Sequence, residues 1–319
     1  MRQKDRMNEN LEQQSVDETT SAPQTEEAAD TKPESGKKAK DAPLTAQEEI
    51  VDFMRTAAIA IFFAILIRTF LFEPFNIPSG SMKPTLLIGD YLFVNKPAYG
   101  YSRFSFPFGL APLNGRVWAE EPQRGDIVVF KLPSNNSVDY IKRIIGLPGE
   151  TVQVRNGRLY INGEIVEREL LGMQEDPDAY GRTAMHHYLE TLPGGVVHEI
   201  YETTDGEQLD NTQLFTVPEG HYFMMGDNRD NSQDSRVEHI VGFVPFENIV
   251  GRADFLFFST DGSAGIFEVW NWPWALRYER FFNDIDPVRL KTDEEALISP
   301  SDERAVEDAF STEFETQKQ

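Results

Sequence analysis

The chain has 319 residues, with 53 Asp/Glu against 30 Lys/Arg and a net charge of -23, length enough for one large domain or two modest ones. Such acidity argues against nucleic acid, which asks for a basic face, and the lack of cysteine removes disulfides, Cys-ligated zinc, iron–sulfur clusters and cysteine nucleophiles. Much of the charge sits at the ends: residues 1–50 hold twelve acids against seven bases, and residues 283–319 eleven against four. The acidity therefore describes solvated tails more than a substrate site. Any nucleophile must be Ser, Thr, Lys or a carboxylate.

Residues 1–48 are rich in Glu, Gln, Ser, Thr, Lys and Ala and poor in aromatic and branched apolar residues. Such a segment cannot bury enough surface to offset its ordering entropy, so a disordered tail is predicted. The apolar run that follows, Phe53 to Phe72, starts too late for a secretory signal peptide. Its length suits a bilayer of roughly 30 Å. We read residues 49–73 as one transmembrane helix, with a buried core helix as the alternative. Arg55 and Arg68 lie near its ends, where long side chains reach the headgroups. Lys37, Lys38, Lys40 and Arg55 outnumber Arg68 and Lys83 across the span, which favours the N-terminus inside and the remainder outside.

Beyond the span the period turns to two. Asp90–Lys96, Asp126–Leu132, Thr151–Arg155, Arg158–Ile161, Glu164–Val166, His221–Met225, Ile240–Val244 and Ile249–Ser259 read as strands. Asn156-Gly157 and Asn162-Gly163 are hairpin turns by composition. Residues 167–212 are polar, show no clear period, and read as an accessory insert. Residues 266–282 carry three Trp with Tyr278, Phe281, Phe282, Arg277 and Arg280, which suits either a membrane interface or a helix packed on the sheet. The fold class expected is mostly β: a β-rich catalytic domain over residues 74–282 with a smaller accessory region, preceded by one transmembrane helix and followed by an acidic, disordered tail at 283–319.

A serine hydroxyl needs a neighbour to take its proton. His186, His187, His198, His221 and His239 have no triad-like context and read as surface or structural residues. No HExxH occurs, so a zincin is not expected. The Asp227–Asp234 run has the composition of a calcium loop but lacks glycine at the sixth position counted from Asp227 or Asp230. A lysine can serve as base only where burial disfavours its charged form. Lys142, in the strand-like Tyr140-Ile141-Lys142-Arg143-Ile144-Ile145, is such a candidate, and alternation puts it on one face with Tyr140 and Ile144. Taken alone it also reads as a snorkelling surface lysine, and Ser79-Gly80-Ser81 alone as a flexible loop.

Together these stretches form a pattern. Pro78-Ser79-Gly80-Ser81-Met82-Lys83-Pro84-Thr85-Leu86 resembles the nucleophile box of type I bacterial signal peptidases, the membrane-bound serine proteases that remove signal peptides. Gly125–Phe130 and Asp139–Arg143 resemble the boxes ending in that family's general-base lysine, and Gly226–Arg236 its late signature box. The resemblance covers about residues 53–280 and leaves both acidic tails outside. It implies Ser81 as nucleophile, Lys142 as general base, and the Ser79 hydroxyl with the Ser81 N–H as oxyanion hole. It further implies that Ser232 hydrogen-bonds and orients the Lys142 amine, that Met82 packs at the apolar wall, and that Asp234 and Arg236 form a structural ion pair with Arg143 nearby. It implies no cofactor and no metal, preproteins cut after small residues (Ala-X-Ala) as substrates, lipid as the surrounding partner, and a single-pass place in the bacterial inner membrane with the catalytic domain outside. Some relatives carry two spans where one is found here, and the 167–212 insert matches nothing in the pattern. A self-cleaving Ser/Lys protease and an inactive membrane-anchored binding domain are the competing readings.

Overall fold

The computed structural model describes residues 45–106, 109, 111–175 and 184–290. The described residues fall into two units that divide after Phe53. Most of the tail expected at 1–48 lies outside the described residues, as do 291–319 and 176–183. Helix α1 (Ala46–Phe70) opens the described part. Its first turn is capped by Thr45, whose N–H and hydroxyl both donate to the Glu48 carboxylate at 2.9 Å while the Glu48 N–H returns to the Thr45 hydroxyl. It is apolar and exposed on every side, and among the described residues it is the one helix long and apolar enough to cross a membrane.

The strands follow in chain order. They are β1 (Phe72–Asn76), β2 (Asp90–Asn95), β3 (Ile127–Leu132), β4 (Asn135–Gly146), β5 (Thr151–Arg155), β6 (Arg158–Ile161) and β7 (Glu164–Ile165). Then come β8 (Glu167–Glu175), β9 (Ala184–Leu192), β10 (Val196–Glu202), β11 (Phe215–Thr216), β12 (His221–Met225), β13 (Val244–Pro245) and β14 (Ile249–Ser259). A single helical turn, α2 (Trp272–Ala275), and β15 (Val288–Arg289) close the described chain. A seven-stranded sheet runs β1-β2-β14-β3-β4-β12-β13, and two four-stranded sheets run β15-β10-β9-β8 and β11-β5-β6-β7. Every pair of neighbouring strands in these sheets is antiparallel. The fold is mostly β, as the alternation predicts.

The large sheet buries apolar residues on both faces. Ile127, Val129 and Ile141 meet Met82, Leu86 and Leu92 on one side, while Val128, Phe130 and Ile144 meet Tyr222, Met224 and Val244 on the other. The Asn-Gly turns have the geometry their sequence demands: φ is 46° and 71° at Asn156-Gly157, and 52° and 82° at Asn162-Gly163. Left-handed backbone at both central residues is what a two-residue turn between twisted strands requires.

Four boundaries differ from the sequence reading. The apolar helix ends at Phe70 rather than 73, because Phe72–Asn76 pairs with β2 as an edge strand. Pro74 cannot continue a helix, and an edge strand tolerates its missing N–H. Residues 240–243 form a turn rather than a strand, with the Ile240 and Val241 N–H groups both donating to the Val237 carbonyl. The 167–212 stretch is no irregular insert: β8, β9 and β10 make a meander that places His186 and His187 within β9. The acidic end, in its described part 283–290, is tied to the fold, with Ile285 in the core and β15 paired to β10.

In residues 266–282 the aromatic rings divide. Trp272 and Phe281 pack on Phe258, at ring-centroid distances of 5.1 and 5.6 Å. Phe267, Trp270, Trp274 and Phe282 point outward, each at least 68% exposed.

Candidate active site

The chain leaves β1 at Asn76 and turns through Pro78-Ser79 into a short 3-10 turn, Gly80–Met82. Two ties fix this turn. The Leu86 N–H donates to the Met82 carbonyl at 2.9 Å, and the fully buried Met82 side chain sits in the apolar cluster with Leu86 and Ile141. A flexible reading of Ser-Gly-Ser therefore gives way to a pinned one: Met82 is the anchor, and Ser81 next to it is 9% exposed.

Lys142 reaches Ser81 from the middle of β4, opposite Val128 of β3. Its Nζ lies 2.7 Å from Ser81 Oγ and 2.8 Å from the Ile141 carbonyl, and 5.4 Å from the Tyr140 ring on the same face of the strand. Burial pushes the Lys142 pKa down from its ordinary 10.5 to about 8, against the opposing pull of the Asp234 and Asp227 carboxylates and with a smaller push from Arg236. A neutral amine is thus accessible near neutral to mildly alkaline pH. Its lone pair can then accept the Ser81 proton. Ser79 Oγ lies 3.5 Å from Ser81 Oγ on the exposed side of the turn.

The late box holds the turn from behind. The Asn228 N–H donates to the Ser81 carbonyl and its Nδ2 to the Gly80 carbonyl, both at 3.1 Å. Asp227 accepts two bonds from Arg143, Nε at 2.8 Å and Nη2 at 2.7 Å, and a third from the Thr85 hydroxyl at 2.6 Å. Arg143 is thereby spent on Asp227, locking the strand of the lysine to the loop that grips the serine. Asp234 accepts from Arg236 Nε and Nη2 at 2.9 and 2.8 Å and from the Gly226 N–H at 3.1 Å. Burial would raise the Asp234 pKa, but the Arg236 guanidinium and these donors hold it below the usual carboxylate value. Gly226 is required by space. A Cβ there would stand 2.2 Å from Ser232 Oγ and 2.5 Å from the Ser81 carbonyl oxygen.

The structure thus brings together Ser81, Lys142, Ser79 and Met82, and places Arg143, Asp234 and Arg236 directly behind them. Ser232 departs from the reading by resemblance. Its hydroxyl makes no hydrogen bond of ordinary geometry, to Lys142 or elsewhere, although it stands close enough to Asp234 to favour the ionised carboxylate. The Lys142 amine is oriented instead by the Ile141 carbonyl of its own strand. Sequence reading missed Asp227, Asn228 and Thr85. The signal was available in the pairing of a Gly-Asp-Asn run with a Lys-Arg step, since a buried arginine beside the base needs a carboxylate. Among the described residues no group of three His, Cys, Asp or Glu side chains is arranged to hold a metal ion.

A serine hydroxyl hydrogen-bonded to a buried lysine amine, on an antiparallel β scaffold, is the arrangement that a lysine-activated serine nucleophile requires. Comparison with known proteins narrows it. Residues 50–258 match the family described as signal peptidase, peptidase S26, and the chain belongs to that family. It is 42% identical over 260 residues to the signal peptidase I of Rickettsia conorii, covering 76% of this chain and 94% of the relative. The signal peptidase I of Rickettsia typhi is 43% identical over the same shares. A crystal structure of a signal peptidase I from Enterococcus faecalis matches at 34% identity, covering 42% of this chain and 97% of its own, with a TM-score of 0.24.

Proposed function

We propose that the chain is a membrane-anchored serine endopeptidase that removes signal peptides from exported preproteins, with Ser81 as nucleophile and Lys142 as general base. The observation that carries the reading is the 2.7 Å contact between Lys142 Nζ and Ser81 Oγ in a site where the lysine is 3% exposed. Neutral Lys142 takes the Ser81 proton as the oxygen attacks the scissile carbonyl. The oxyanion that forms accepts from the Ser79 hydroxyl and the Ser81 N–H, one such donor being typically worth about 2.7–4 kcal/mol of barrier. Protonated Lys142 then gives its proton to the leaving amine, and the acyl-enzyme is hydrolysed by a water that Lys142 deprotonates. Asp227, Asn228, Arg143, Asp234 and Arg236 keep the two reacting groups in register.

Substrates carry small side chains such as Ala at the first and third positions before the cut, and the buried cluster of Met82, Leu86 and Ile141 holds the nucleophile turn beneath them. The anchor is α1, with the tail before it cytoplasmic and the catalytic domain outside, and the outward rings of Trp270, Trp274 and Phe282 rest on the lipid interface. Cleavage of a preprotein by wild type, Ser81→Ala and Lys142→Ala tests the chemistry: both variants lose it, and equal cleavage by all three would sink the dyad. Protease protection in membrane vesicles tests the orientation. Digestion of residues beyond 75 from the cytoplasmic side would overturn it.

A further inference from the structure

The polar meander β8–β10 does more than extend the fold. Glu190, on β9, and His198, on β10, are cross-strand partners in register, and both are buried. Glu190 holds Arg229 of the late box with both carboxylate oxygens, Oε1 accepting from Nη1 at 2.9 Å and Oε2 from Nη2. His198 fills the space between. Its Nε2 lies 3.4 Å from Glu190 and 4.0 Å from Asp227, and burial together with the Arg143 and Arg229 charges pushes its pKa well down, so the ring stays neutral. One backbone bond completes the link, the Tyr201 N–H donating to the Asp227 carbonyl at 2.9 Å. The meander therefore grips Asp227 and Arg229, and the residue between them, Asn228, is the one that holds the Ser81 and Gly80 carbonyls.

We propose that Glu190 is a positioning residue for catalysis, acting through Arg229 to fix the Asp227–Arg229 segment against the nucleophile turn. The inference rests on the Ser81–Lys142 reading. A bidentate carboxylate–guanidinium pair fixes direction as well as distance, and a misplacement of about 1 Å at a reacting group can cost a hundredfold in rate. Glu190 touches neither substrate nor the reacting atoms, so its loss should lower turnover and leave substrate binding nearly unchanged.

The test uses the full chain in lipid–detergent micelles with a preprotein, measuring kcat, KM and thermal midpoint. Glu190→Asp keeps the buried charge but draws the carboxylate back by one methylene, and is expected to lower kcat roughly tenfold or more with KM within about twofold. Glu190→Leu with Arg229→Met removes both charges, which buried pairs often tolerate without loss of stability. This double variant is expected to melt near the wild type yet stay slow. A double variant that regains wild-type kcat with its stability, or a folded Glu190→Asp with wild-type kcat, overturns the proposal. Ser81→Ala runs alongside: cleavage by that variant removes the dyad reading itself, whereas an inert Ser81→Ala beside fully active Glu190 variants removes only the role of Glu190.

Discussion

Replacing Lys142 by Met keeps most of the side chain's volume and removes its amine, so the variant separates the cost of the base from its use. In the folded chain the Lys142 pKa stands at about 8 against an ordinary 10.5. The sign follows from linkage. Below pH 8 the amine is protonated in both states, and the fold carries the cost of a buried charge. Between pH 8 and 10.5 the unfolded chain binds the proton and the folded chain does not, so this group's contribution to stability rises with pH. At about 1.36 kcal/mol for each pKa unit, the cost is about 3 kcal/mol below pH 8 and less than about 1 kcal/mol by pH 10. Lys142→Met is therefore expected to be inactive and more stable than the wild type at pH 7, with its advantage shrinking as pH rises. For a domain of this size the advantage at pH 7 is a rise in melting temperature of about 6–12 °C. Paired thermal scans of the full chain in micelles at pH 7, 8, 9 and 10 measure it. An advantage that stays constant with pH, or a variant less stable at every pH, would refute the assignment of a depressed lysine.

Three further substitutions probe the scaffold. Gly226→Ala would drive a methyl to 2.5 Å from the Ser81 carbonyl oxygen, and kcat should fall about a hundredfold; adding Ser232→Gly relieves only the clash with the Ser232 side chain and should not restore it. Asp227→Asn leaves the Arg143 guanidinium buried without its counter-charge, which should cost about 3–5 kcal/mol in denaturant titration. Because Asp227 also raises the Lys142 pKa, the acid limb of kcat/KM in that variant should move below pH 8, and an unmoved limb would show the two groups uncoupled. Ser79→Ala should lower kcat about 10²–10³-fold with KM little changed, as expected on removing an oxyanion donor.

Much of the large sheet was readable from alternation, because Asp90–Asn95 and Ile249–Ser259 bury one face and turn polar or aromatic residues elsewhere. The Asn-Gly turns announced their hairpin by backbone requirement alone. The meander was hidden for the opposite reason. Val196–Glu202 looks polar through His198, Glu199 and Glu202, yet all of it but Glu199 is buried, with Glu202 paired to Arg168 and His198 set against Glu190, itself paired to Arg229. No local pattern records a charge compensated from a distance. The same holds at the site: Ser81 and Lys142 could be named from their boxes, but that Ile141's carbonyl rather than Ser232 meets the amine is set by the conformation of Lys142 on its strand. Ile285 and the short strand at Val288 were lost in the acidic composition of the end, although one buried side chain and one strand pairing seat it.

In the proposed mechanism Ser81 is made nucleophilic by a lysine kept largely neutral at mildly alkaline pH. It is tested most directly by the rate at which Ser81 becomes acylated in a single turnover, with the adduct located by mass spectrometry and the rate followed across pH. The expected result is an adduct on Ser81 whose rate of formation rises with pH through a midpoint near the Lys142 value of about 8, and no adduct in Lys142→Met. Acylation of another residue, or of Ser81 at a rate indifferent to pH and to Lys142, would contradict it.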